Sequence, residues 1–101
     1  MERLELLQVH NMIREIRGML TFGPSPCLET PCMPGTAFQI NEGNSVWYLK
    51  WNGRLLDCGD EFDGTRLQEG MHLRVSGVET ILKDIYGLEH KVVELGSLEK
   101  L

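Results

Sequence analysis

Along most of the chain, apolar and polar residues alternate every second position, the period of a strand with one buried face. Ile16, Gly18, Leu20 and Phe22 alternate with Arg17, Met19 and Thr21 and predict a first strand. Thr36–Ile40 and Ser45–Trp51 predict a hairpin across Asn41–Asn44. If Ile40 pairs with Ser45, Phe38 faces Trp47 and Thr36 faces Leu49. Phe38, Ile40, Trp47, Leu49 and Trp51 then share one face, which is expected to be core because large aromatics dominate cores. Ala37, Gln39, Val46, Tyr48 and Lys50 form the opposite face. Asn52-Gly53 is a two-residue hairpin turn, after which Arg54-Leu55-Leu56 pairs back briefly. Residues 57–69 are rich in turn signals, and their glycines argue against a full helix.

Met71, Leu73 and Val75 alternate with His72, Arg74 and Ser76. Gly77 interrupts the run, and Val78, Thr80 and Leu82 resume it. Asp84-Ile85-Tyr86-Gly87 predicts a type I turn. Leu88–Leu95 is the return strand and Gly96–Leu101 a polar tail. Both faces of this long hairpin carry apolar residues, so the pattern leaves its register open. Residues 1–15 form an N-terminal segment, read either as a short helix or as an early start of the first strand.

A long strand kinked at a glycine suits a small closed barrel, whose strands must bend around corners. The stretch EGMHLRVSGV, followed by a hairpin and a last strand, resembles the fourth and fifth strands of an oligonucleotide/oligosaccharide-binding (OB) fold. IRGML, residues 16–20, is similar to its first strand, again with a mid-strand glycine. The expectation is an all-β, five-stranded OB-like Greek-key barrel forming a single domain over 1–101.

Between the first two strands, residues 23–35 hold all four prolines and two of the three cysteines, which predicts a semi-rigid loop. Cys27 and Cys32 fit three states: free thiols, a disulfide, or part of a metal site completed by Cys58 and one of His10, His72 and His90. The chain has no CxxC or HxxxH motif, and no metal or other cofactor is assigned. His90 pairs near Ile81, about 30 Å along the strand from His72 at roughly 3.3 Å per residue, so the two histidines do not share a site. They read as surface residues. Asp57, Asp60, Glu61 and Asp63 read as a solvated acidic loop, since no EF-hand pattern is present. No phosphate loop, nucleophile elbow or nucleophile–base pair can be named, and an enzyme is not expected.

Charge narrows the partners. With ten Lys and Arg against fifteen Asp and Glu, the net charge is −5, and no two basic residues are adjacent. That balance disfavours sequence-independent binding to nucleic acid or anionic membrane. No segment approaches the roughly 18–20 consecutive apolar residues needed to span a bilayer. The N-terminus is too acidic for a signal peptide, so a cytoplasmic location is expected, with a mature exported domain as the alternative.

The function expected is a non-catalytic binding or interaction module for a protein or small ligand, acting as a monomer or weak dimer. Its surface would be Gln39, Tyr48 and Lys50, with Arg54 and the Pro/Cys loop at the rim. The alternatives are a single-stranded nucleic-acid binder, which would need exposed aromatics in a basic groove, and a thiol- or metal-responsive domain.

Overall fold

The computed structural model describes residues 13–32 and 35–101. Every regular element among them is a β-strand: β1 (Ile13–Pro24), β2 (Thr36–Glu42), β3 (Ser45–Trp51), β4 (Arg54–Leu55), β5 (Glu61–Phe62), β6 (Thr65–Arg66), β7 (His72–Lys83) and β8 (Glu89–Lys100). β1 lies antiparallel between β2 and β7, β7 pairs antiparallel with β8, and β2 pairs antiparallel with β3. A parallel pairing of β3 with β8 completes a ring of five strands. The protein is thus an all-β, barrel-like domain. β4 extends the sheet beyond β3, and β5–β6 is a separate two-stranded hairpin. Among the described residues no helix is long and apolar enough to cross a membrane.

Alternation puts one residue in two inside the ring. Ile16 and Leu20, Phe38 and Ile40, Trp47 and Leu49, Leu73 and Val75, and Val93 and Leu95 come inward from the five strands. Leu56, Phe62 and Leu67 from the connection between β3 and β7 complete the core. Each fully buried side chain of this size contributes about 1.5–3 kcal/mol, before conformational entropy is set against it.

Two glycines allow the strands to close up. A Cβ on Gly18 would fall on the Asn41 carbonyl, and one on Gly77 would fall on the Glu94 carbonyl. Next to Gly77 the ladder slips: Ser76 pairs with Ser97 but Gly77 with Leu95, leaving Gly96 as an extra residue on β8. A bulge there sharpens the local twist and bends the strand. Both glycines mark close backbone approach, and at Gly77 the bulge marks the bend that the pattern implied.

Several expectations are corrected. The β2–β3 turn is Gly43-Asn44, not Asn41–Asn44, and Ile40 pairs with Trp47 rather than with Ser45. Asn41 and Glu42 stay in the strand because their side chains bond back to β1: Asn41 Nδ2 to Thr21 Oγ1 at 2.7 Å, and the Arg17 amide to Glu42 Oε2 at 3.1 Å. A slip of two positions leaves the faces unchanged, so the inner set of Phe38, Ile40, Trp47 and Leu49 stands. The first strand begins by Ile13; the helix expected over the earlier residues lies outside those described. Residues 97–100, expected as tail, are strand, because beyond the bulge they pair with Leu73–Ser76 and Leu98 packs on the core.

The two tryptophans separate. Trp47 is 3% exposed, whereas Trp51 is 36% exposed, at the end of β3 with its ring edge-on to Phe62 at 5.1 Å. Trp51 is thus not core: the inner face continues past the end of the strand ring. In acrylamide quenching, the Trp51→Phe protein is expected to keep a blue-shifted, strongly protected emission, while Trp47→Phe leaves a readily quenched one. Equal quenching of the two variants would contradict this packing.

Candidate functional site

The parallel seam between β3 and β8 is short: Tyr48 pairs with Val92, Leu49 with Val93 and Lys50 with Glu94. Before it, β3 follows β2 toward the Gly43-Asn44 turn, while β8 follows β7 toward the turn at Asp84–Leu88. Where the strands part there is a groove of about 410 Å³. Gln39 and Tyr48 enter it from the outer face of β2 and β3. Residues 44–46 border one side and residues 89–91 the other.

Tyr48 was expected to be the exposed aromatic of this face, but it is only 6% exposed. Its outward direction is as expected; what covers it lay outside the pattern. Ala37, Val92, Leu55 and Leu82 pack with it as a second small apolar cluster outside the ring. Its hydroxyl donates to the Pro24 carbonyl at 2.6 Å, and the His90 ring meets its ring nearly edge-on at 5.7 Å.

His90 is half-buried rather than a free surface residue. Its Nε2 lies 2.9 Å from Asp84 Oδ2. Asp84 Oδ1 accepts the Tyr86 and Leu88 amides at 2.9 and 3.0 Å, and the Gly87 amide closes the turn on the Asp84 carbonyl at 3.0 Å. Asp84 therefore organises the turn and holds the imidazole at the same time. The hydrogen bond from His90, followed by those from the Leu88 and Tyr86 amides, holds the Asp84 carboxyl below the usual carboxylate range, against the opposing effect of burial.

The loop after β1 is closed by a Cys27–Cys32 disulfide, with Cα atoms 5.3 Å apart. Ser25 donates to the Gly35 carbonyl at 3.0 Å, and the Cys27 carbonyl accepts the Ile85 amide at 2.8 Å. The loop curls around a depression of about 450 Å³, lined among the described residues by residues 25–31. Cys58 is a free, exposed thiol beside a smaller hollow of about 260 Å³ that includes Phe22, Phe38 and Arg66. Among the described residues no three His, Cys, Asp or Glu side chains are grouped to hold a metal ion.

On the inner face of the strand ring, Lys91 Nζ lies 5.2 Å from the Trp47 ring centroid and the Arg14 guanidinium 5.6 Å from it. Arg14 is itself ion-paired with Glu79. Cations over an indole face are attracted by its quadrupole.

The expected site residues divide into two sets. Gln39 and Tyr48 meet in the groove; Lys50 and Arg54 do not line it. Lys50 lies beyond it, within the seam. Arg54 sits past the Asn52-Gly53 turn and makes a two-pronged ion pair with Asp60 at 2.7 and 3.1 Å. That hydrogen bond, with the Asp57 amide assisting and burial opposing, lowers the Asp60 pKa. Asn44, Ser45, Glu89, His90 and Lys91 were not expected at the site. The available signal was an aspartate opening a turn six residues before a histidine on the return strand.

Both aspartates bind protons more weakly in the folded chain than in the unfolded one. Their stabilisation is complete above the ordinary carboxylate pKa of about 3.9 and is lost as pH falls through the lower folded values. Melting temperature is expected to hold from about pH 6 to about pH 4 on their account and then to fall. Asp84→Asn should flatten part of that acid limb; an unchanged limb would show that the pair has no such role.

The fold and the groove together define a small, all-β, barrel-like domain with a polar cleft on its outer face. No protein-family model, curated protein or solved structure matches the chain.

Proposed function

We propose that this chain is a non-catalytic binding domain that takes its ligand in the groove between β3 and β8. One observation carries the proposal: the outer face of β2 and β3 opens into a cleft, two of whose residues, Tyr48 and His90, are bonded to the segments that correspond to the loops an OB barrel uses around its ligand. In such barrels the face of the second and third strands binds, flanked by the loop after the first strand and the loop between the last two. Here these are the disulfide loop and the Asp84–Leu88 turn, which touch each other through Cys27 and Ile85. Each also reaches a groove residue, through Pro24 to Tyr48 and through Asp84 to His90.

The groove is lined by residues that carry amides, a hydroxyl, an imidazole and a carboxylate, Gln39, Asn44, Ser45, His90 and Glu89, beside Lys91, whose ammonium lies over the Trp47 ring. That mixture suits a polar ligand carrying both donors and acceptors, such as a small metabolite or a short peptide segment. It suits a single-stranded nucleic acid less well, because base stacking needs an open aromatic face and Tyr48 is covered.

Titration of the ¹⁵N-labelled protein with a library of small polar compounds and short peptides, and with a single-stranded oligonucleotide at low salt, tests the proposal. Ligand-induced shifts are expected at Gln39, Ser45, Tyr48 and Lys91, and they should disappear in Ser45→Trp, which fills the cleft. Shifts clustered elsewhere, or unaffected by Ser45→Trp, would overturn it. Salt-sensitive oligonucleotide binding at these residues would favour the nucleic-acid alternative.

A further inference from the structure

The disulfide loop and the groove belong to one closed circuit of contacts. From the Cys27 carbonyl the circuit runs to the Ile85 amide at 2.8 Å, and along the turn to Asp84. Asp84 Oδ2 holds His90 Nε2 at 2.9 Å, and His90 stands edge-on to Tyr48. Tyr48 Oη then bonds the Pro24 carbonyl at 2.6 Å, which returns to the loop three residues before Cys27. Tyr48 and His90 are both groove residues. The loop therefore meets the groove at two places, through Pro24 at the end of β1 from which it leaves and through the β7–β8 turn.

From this circuit we infer that the Cys27–Cys32 bond is a redox-sensitive control on the shape of the groove. With the bond intact, the loop is a short closed ring and the Cys27 carbonyl has few positions available to it. A dithiol reductant opens it by exchange: one thiolate attacks a cystine sulfur, and the second displaces the resulting mixed disulfide. Two electrons and two protons pass to the protein, leaving two cysteine thiols, and the reductant leaves as its own disulfide. The freed segment regains backbone conformations that the ring excluded. The Cys27–Ile85 bond then opens more often, and the turn, Asp84 and His90 lose one of their supports. The core of the ring shares no member with this circuit and is unaffected.

The functional meaning rests on the groove being the ligand site, but the test requires no ligand. Amide exchange and ¹H–¹⁵N spectra of the full chain are recorded oxidised, and again after dithiothreitol. Exchange at Ile85 is expected to quicken by about tenfold or more on reduction, as a locally opened hydrogen bond does. Shifts should extend to Asp84, His90 and Tyr48, while Leu73 and Val75 stay in place. The Cys27→Ser/Cys32→Ser double variant should give the reduced spectrum with or without dithiothreitol, which separates the Cys27–Cys32 bond from the free Cys58 thiol. Changes confined to residues 25–35, with Ile85 exchange unaltered, would overturn the inference, whatever the titrations show about ligands.

Discussion

Gly77→Ala is expected to destabilise the protein by about 3 kcal/mol or more, at the upper end of what overpacking costs. The new methyl would fall on the Glu94 carbonyl oxygen, with the Glu94 carbonyl carbon at 2.8 Å and Val93 Cγ2 at 3.1 Å. A side chain can rotate away from such an overlap; a paired backbone carbonyl cannot. β7 would have to separate from β8 at the bulge, next to the buried Val75 and Val93. For a domain of this size each kcal/mol lowers the melting temperature by roughly 4–8 °C, so a fall of at least about 12 °C is expected. Gly96→Ala is the matched control. It lies at the same bulge, yet its Cβ meets nothing nearer than the Ser76 carbonyl oxygen at 3.4 Å. A loss below about 1 kcal/mol is expected there, as for a substitution that makes only ordinary contacts. Equal effects of the two substitutions would show that close approach is not what Gly77 supplies.

Phe38→Ala should cost about 3–5 kcal/mol, the usual range for deleting a buried phenylalanine ring. Phe38 is fully buried and stacks on Phe22, with centroids 4.5 Å apart and planes 18° from parallel. Its amide donates to the Leu56 carbonyl at 2.8 Å, so the ring sits where the segment after β4 is attached to the core. A cavity there removes contacts from the strand ring and from this segment together, and neither can close it alone. Small domains have only about 5–15 kcal/mol of stability in total, so the variant is expected to be marginal at room temperature. Urea denaturation would show this as a large drop in midpoint. Phe22→Ala, which removes the partly exposed partner, should lose less. A loss under about 1 kcal/mol for Phe38→Ala would mean that the core collapses to fill the space.

The strands and their faces were readable because a period of two survives an error of two positions in the turn. Moving the β2–β3 turn from Asn41–Asn44 to Gly43-Asn44 shifted the register by two and left Phe38, Ile40, Trp47 and Leu49 inside. The irregularity at Gly77 was readable too, because a glycine stands there where a side chain would otherwise be expected. Burial of the outer face was not readable. Alternation says which way Tyr48 points, but not that Leu82, Val92 and His90 from a distant hairpin will cover it. The same limit applies at Trp51, which shares the inner parity but lies past the end of the ring. Most of the candidate site escaped, and Glu89, His90 and Lys91 did so for a related reason. Gln39 and Tyr48 are local to the β2–β3 hairpin, whereas Glu89, His90 and Lys91 reach the groove only through a parallel pairing between segments far apart in sequence. Arg54 has the composition of a ligand-binding residue, but its guanidinium is occupied by Asp60.

The three-pair seam between Tyr48–Lys50 and Val92–Glu94 also bears on the order in which the molecule assembles. Its two halves lie on opposite sides of β4 to β7, so it cannot form until nearly the whole chain has been made and the β7–β8 hairpin is in place. Pairings of such high sequence separation carry the largest loop-closure cost and slow folding. β1, β2 and β3 can meet early as a meander with β3 still an open edge, and such edges invite pairing with other chains. The step that closes the ring of strands is therefore also the step that creates the groove, and a newly made chain acquires that groove only when it loses its exposed edge.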